Sequence, residues 1–187
     1  MDKIDKYIND LKSENMENSH MPPKKKGSPD NFQTPAIAIL PLIPYLKREW
    51  TIWECAQGKG NLTKALEKEG FRVIGSDIID GVDFLKSNVN YVFDCIITNP
   101  PYSLKDEFLE RAYEIGKPFA LLMPLTALEG KKRQGLYKRY GLQLMLLNRR
   151  INFETPSGNG SGSWFATAWF TFGLHLPKDI VFADLPK

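Results

Sequence analysis

The segment YVFDCIITNPPYS, residues 91–103, decides how this chain is built. Its first half is an apolar run of the kind that fills a buried strand. Its second half ends that strand at once, because Pro100 and Pro101 cannot donate to a sheet ladder. Asn99 and Tyr102 are therefore expected on a rigid corner just beyond a strand's carboxyl end. Such a corner offers a ligand an amide oxygen and an aromatic face.

Working outward from this corner, strands and helices alternate. TIWEC (51–55) reads as a strand, AQGKGN as a loop, LTKALEKEG as a helix and FRVIGSD (71–77) as a second strand. Downstream, LKDEFLERAYEIG puts Leu104, Phe108, Leu109, Ala112 and Ile115 on one side of a helix. PFALLMP (118–124) follows as a strand and GKKRQGLYKRYG as a basic helix. LQLMLLN (142–148) and SWFATAWFTFGL (163–174) are the last strands, with Phe165, Trp169 and Phe172 expected in the core. PAIAILPLIPYL (35–46) reads as a helix broken by its prolines. This alternation implies an α/β, mainly parallel, doubly wound sheet. In such sheets ligands bind beyond the carboxyl ends of the strands.

A length of 187 residues fits one domain, expected over residues 31–187. Two cysteines and two histidines cannot build a Cys-rich zinc site, so no metal is expected. Cys55 and Cys95 lie in apolar contexts and read as small buried hydrophobes. The net charge of +3 is too small to favour an anionic partner strongly. No span approaches the roughly 20 apolar residues of a membrane helix. The opening MDKIDKYIND is charged throughout, unlike a signal peptide, so no membrane association and a cytoplasmic location are expected. Residues 1–30 read as a flexible arm, with helical spacing at Ile4, Ile8 and Leu11. Lys24, Lys25 and Lys26 in that arm suit either solvent or phosphates.

Three loops after successive strands carry residues suited to a nucleoside. In ECAQGKG (54–60), Gly58 and Gly60 allow a tight strand-to-helix turn and a close approach to a ligand. Asp77 ends the next strand about 20 residues after these glycines, where a carboxylate can accept from both ribose hydroxyls. In GVDFL, Asp83 can take an exocyclic amine and Phe84 can pack on a base; a turn Asp beside a core Phe explains the same letters. No Lys-Ser or Lys-Thr follows the glycines, so a triphosphate cradle is not indicated.

With ECAQGKG, GSDI and NPPY in this order, residues 32–174 resemble a class I S-adenosylmethionine-dependent methyltransferase. The NPPY motif resembles that of enzymes methylating a planar amino nitrogen, above all adenine N6, as in compact phage-type DNA methyltransferases. The resemblance implies a Rossmann-like methyltransferase sheet, mostly parallel with a C-terminal antiparallel strand. It implies S-adenosylmethionine as cofactor, held by Phe32, Thr34, Glu54, Cys55, Ala56, Gly58, Gly60, Asp77, Ile78, Asp83, Phe84 and Asn99. It makes Asn99, Pro100, Pro101 and Tyr102 the catalytic corner. Phe32 and Thr34 stand in a segment, NFQTP, that resembles the one touching the cofactor's methionine part; Thr34 also suits a helix N-cap, with Pro35 at the first helical position.

The chemistry suits the motif. An exocyclic amine is a weak nucleophile because its lone pair is delocalised into the ring. The Asn99 side-chain oxygen and the Pro100 carbonyl, each accepting one N–H, can localise that pair. Tyr102 can stack on the base. Positioning, rather than strong acid–base catalysis, is expected to supply much of the acceleration. Tyr102, Phe153, Trp164, Arg149 and Arg150 are the expected substrate contacts, with Phe153 or Trp164 as the second wall and a mobile Gly/Ser lip between them. The arginines and KKRQGLYKR can follow a nucleic-acid backbone, DNA ahead of RNA. The chain has no room for a separate target-recognition domain, so a protein partner supplying recognition is expected to be compatible with it. RNA adenine, a protein glutamine amide, and a silent cofactor-binding subunit are the alternatives.

Overall fold

The computed structural model describes residues 33–86, 90–155, 158–159 and 165–186. The arm with Lys24–Lys26, Phe32, the lip between Pro156 and Trp164, and Trp164 itself lie partly or wholly outside the described residues. The strands are β1 (Thr51–Glu54), β2 (Arg72–Gly75), β3 (Cys95–Thr98), β4 (Phe119–Pro124), β5 (Gln143–Leu147), β6 (Glu154–Thr155), β7 (Gly158–Asn159), β8 (Thr167–Phe172) and β9 (Ile180–Ala183). The α-helices are α1 (Asn61–Lys68), α2 (Lys105–Ile115) and α3 (Lys131–Tyr140).

Among the described residues, seven strands form one sheet in the order β2-β1-β3-β4-β8-β5-β9, and β6 and β7 form a separate antiparallel pair. β8 runs antiparallel to both β4 and β5, while the other adjacent pairs are parallel. The sheet is doubly wound, as the alternation of elements implies. Ile52, Ile97, Leu122 and Trp169 point to one face, against α1 and the 3-10 helix Ala36–Tyr45. Trp53, Ile96, Leu121 and Phe170 point to the other, against α2. The period of two along each strand thus divides the core between two layers. Trp169 ties the first layer down by donating Nε1–H to the Ala38 carbonyl at 2.9 Å.

The structure departs from the sequence reading in several places. Ala36–Tyr45 is a continuous 3-10 helix rather than a broken one, although it contains Pro41 and Pro44. With three residues per turn, Ala38, Pro41 and Pro44 fall in one row, so the missing donors lie together on one edge. Thr34 is not an N-cap: Pro35 occupies that position, in an extended conformation with ψ 147°, and no side chain caps the helix. The strand expected over 91–99 is confined to Cys95–Thr98. Phe93 leaves the ladder to pack beside Trp53, with ring centroids 4.9 Å apart. Phe165 precedes β8 instead of belonging to it. β9 had no periodic signal, being four residues between charged and proline-rich flanks; its place beside β5 is a tertiary choice.

β2 and β3 flank β1 on opposite sides, so the chain reverses its direction of travel across the sheet between β1 and β3. Loops leaving the carboxyl ends of these two strands diverge to opposite faces and open a crevice, the usual place for a ligand in this architecture.

Candidate active site

The crevice contains a cavity of about 280 Å³. Gly58, Asp77, Ile78, Asp83, Phe84 and Asn99 all contribute to its wall. A second, smaller hollow of about 20 Å³ adjoins it, bordered by Gln33, Thr34, Glu54, Ala56, Asn61 and Asn99 among others. Gln33, Ala56 and Asn99 border both spaces.

The glycine loop owes its shape to left-handed backbone. Gly58 has φ 51° and Gly60 φ 75°, values that penalise any residue with a Cβ. A Cβ on Gly58 would lie 2.7 Å from the Gln33 amide nitrogen, so the Gln33 side chain would have to shift to admit one. Gly60 is the N-cap residue of α1 and takes no part in the cavity wall. Asp77, just beyond the neighbouring strand β2, holds the loop. Its carboxylate accepts from the Gly58 N–H at 2.8 Å and from the Ile79 N–H at 3.1 Å. Two of its roughly four acceptor positions are thus used by backbone, which leaves capacity for ligand hydroxyls.

Asp83 accepts from the Leu85 N–H at 3.0 Å and pairs with Lys86 at 3.2 Å. Phe84 borders the cavity, and its ring is buried as a core Phe, stacked on Phe108 at 4.8 Å and edge-on to Trp53 at 5.2 Å. Ile78 is largely exposed at the cavity rim, with Ile79 and Val82 beside it.

Glu54 ends β1 and is 1% exposed. Its Oε1 accepts from the Thr98 hydroxyl and from the Ala56 N–H, the latter at 3.2 Å. Burial pushes its pKa up to about 8; the Thr98 and Ala56 hydrogen bonds oppose this, and the nearby Asp77 adds to it. A carboxyl so placed favours its protonated form at neutral pH. Cys55 also borders the cavity; burial, with Glu54 beside it, pushes its thiol up, away from nucleophilic use.

The NPPY corner leaves β3 as expected. Pro101 caps a short 3-10 helix, Tyr102–Leu104, which leads into α2. Pro100 is buried and Pro101 borders the larger cavity. Tyr102 is only 9% exposed. Phe165 meets its ring edge-on at 5.5 Å and Phe153 at 6.5 Å. Phe153 therefore stands near Tyr102, but the rings are packed together rather than spaced for a base between them. The expected sandwich is not preformed. Arg149 is exposed and donates to the Pro186 carbonyl, so it is drawn toward the C-terminal segment. Arg150 is exposed on the same connection after β5. Phe32 and Trp164 lie outside the described residues.

Gln33 is the residue the sequence reading missed. It is buried, and its Oε1 accepts from the Lys59 N–H of the glycine loop at 2.9 Å. Its backbone exchanges two 3.0 Å hydrogen bonds with Glu154, next to Phe153. It thus joins the glycine loop to the segment flanking Tyr102. In NFQTP nothing local distinguishes Gln33 from its neighbours as the inward residue.

No family model and no curated protein matches the chain. Among solved structures, the chain is similar to a modification subunit of a proposed type I restriction enzyme from Vibrio vulnificus, with 14% identity, 88% of this chain and 48% of that chain covered, and a TM-score of 0.49. It is also similar to a TehB-like SAM-dependent methyltransferase from Corynebacterium glutamicum, with 14% identity, coverage of 90% and 96%, and a TM-score of 0.45. A third is a proposed RNA methyltransferase from Pyrococcus horikoshii, with 14% identity, coverage of 65% and 72%, and a TM-score of 0.41. The chain spans about half the length of the first of these.

Proposed function

We propose that this chain transfers a methyl group from S-adenosylmethionine to an exocyclic amino nitrogen, and that the acceptor is N6 of adenine in DNA. The observation that carries the reading is the position of Asn99, on the wall shared by a nucleoside-sized cavity and a small polar hollow. The residues present fit the donor. Asp77 and Asp83 offer carboxylates for hydroxyl and amino groups, and Ile78, Ile79, Val82 and Phe84 offer apolar surface for a base. Thr34, Glu54 and Asn61 gather polar groups beside the cavity, on the side toward which an amino-acid portion would point.

When bound, the donor would supply an electrophilic methyl carbon: the acceptor's lone pair forms the N–C bond, the electron pair of the broken bond stays on sulfur, and the nitrogen gives up one proton to solvent. The chain's own contribution is positional. Asn99 accepts one N–H of the acceptor and localises its lone pair. Glu54, once ionised, balances a neighbouring cation. Tyr102, freed from Phe153 and Phe165, offers its face to the base. Lys131, Lys138 and Arg139 on α3, with Arg149 and Arg150, supply positive charge for a phosphate backbone. In this reading the enzyme works in the cytoplasm, with room for a protein partner that supplies recognition.

The test is transfer of radiolabelled methyl to plasmid DNA, total RNA and protein extract in parallel. Label on DNA, lost in Asn99→Ala while donor binding persists, supports the reading. Label confined to RNA or to protein overturns the DNA assignment. Donor binding without transfer to any of the three identifies a silent subunit.

A further inference from the structure

We propose that two copies of this chain pair through β9, edge to edge and antiparallel, to form one continuous sheet across a twofold axis at Val181. β9 is the last strand in the sheet order, so one side of it meets no other strand among the described residues. That edge is unusually apolar for a surface: Phe182 is 81% exposed and Ile180 48%. Exposed edges of this kind are templates for another strand unless charge or shape blocks them.

The backbone fixes which groups are available. The Asp179 carbonyl accepts from the Leu144 N–H, and the Ala183 carbonyl from the Asn148 N–H. Peptide groups alternate sides along a strand. Those of Ile180 and Phe182 therefore face away from β5, toward the open edge.

The sequence is self-complementary in one register. With Val181 opposite its own copy, Ile180 lies opposite Phe182, and Lys178 lies opposite Asp184. This register pairs Ile180 and Phe182 as the residues that exchange both N–H and carbonyl bonds, which is what their outward peptide groups require. Ile180 and Phe182 share one face of β9, and Lys178 and Asp184 lie just beyond its two ends. Two apolar pairs are then flanked by two ion pairs. A twofold axis makes each contact occur twice, the ordinary condition of an isologous interface. Lys178 and Asp184 are both exposed. Guard residues that ward off edge pairing are effective when they meet like charges; here they meet opposite ones.

Sedimentation of the full-length chain over a range of concentrations tests the proposal. The expected result is a reversible dimer. Lys178→Asp alone places like charges opposite each other and weakens the dimer roughly tenfold; adding Asp184→Lys to it restores the affinity. Val181→Cys reads the register directly. Across the axis its Cα atoms are about 4.5 Å apart, within disulfide reach, so oxidation gives a covalent dimer. Ala183→Cys, displaced from its own copy, does not cross-link. The native Cys55 and Cys95 are buried and do not interfere. A wild-type chain that stays monomeric at every concentration overturns the proposal, as does a dimer indifferent to both charge changes and to Val181→Cys.

Discussion

Glu54→Gln separates the cost of burying an acid from its use. The carboxyl has an ordinary value of 4.5 and a folded value of about 8. Between these limits the folded state holds a proton that the unfolded chain has released, so stability falls as pH rises. The slope is about 1.4 kcal/mol per pH unit, and above about pH 8 the full loss is about 5 kcal/mol. Both protein donors fall on Oε1, which leaves Oε2 to carry the proton. A glutamine keeps the accepting oxygen and cannot ionise. Urea unfolding followed by tryptophan fluorescence measures the effect. The stability gained by Glu54→Gln over wild type should grow by roughly 3 kcal/mol between about pH 5.5 and about pH 9. Taking the difference between the two proteins removes the titration of other groups. Donor affinity should behave in the opposite sense: in wild type it rises with pH through about 8, and in Glu54→Gln it is weaker and flat. If the two stability curves run parallel across this range, Glu54 ionises normally in the fold and the reasoning fails.

Three further outcomes are expected. Asn99→Ala lowers the methyl-transfer rate on the order of a hundredfold or more with donor affinity little changed, read by calorimetry alongside single-turnover kinetics. Gly58→Ala forces a Cβ into the left-handed region and against Gln33, costing about 1–2 kcal/mol of stability and weakening donor binding; an unchanged melting temperature would contradict the loop geometry. Trp169→Phe strands the Ala38 carbonyl and leaves a void in the core, lowering stability by about 2–3 kcal/mol in denaturant unfolding.

The sequence by itself determined the alternation of elements, the abrupt end of β3 at Pro100, and the left-handed glycine turn. Each follows from local rules: side-chain periodicity, the missing proline N–H, and the freedom of a residue without a Cβ. It also brought Asp77, Asp83 and Asn99 to one end of the sheet, because every loop after a parallel strand emerges there. Only the tertiary structure decided what depends on partners far away in the chain. Glu54 became a raised acid because burial surrounds it, not because of its neighbours in ECAQGKG. Gln33 became the link between the glycine loop and Phe153 through a bridge to Glu154, more than a hundred residues distant. Tyr102 was covered by Phe165 and Phe153, which arrive from separate later segments. β9 acquired its place at the sheet edge from β5, since four residues without a helical or alternating pattern carry no instruction of their own.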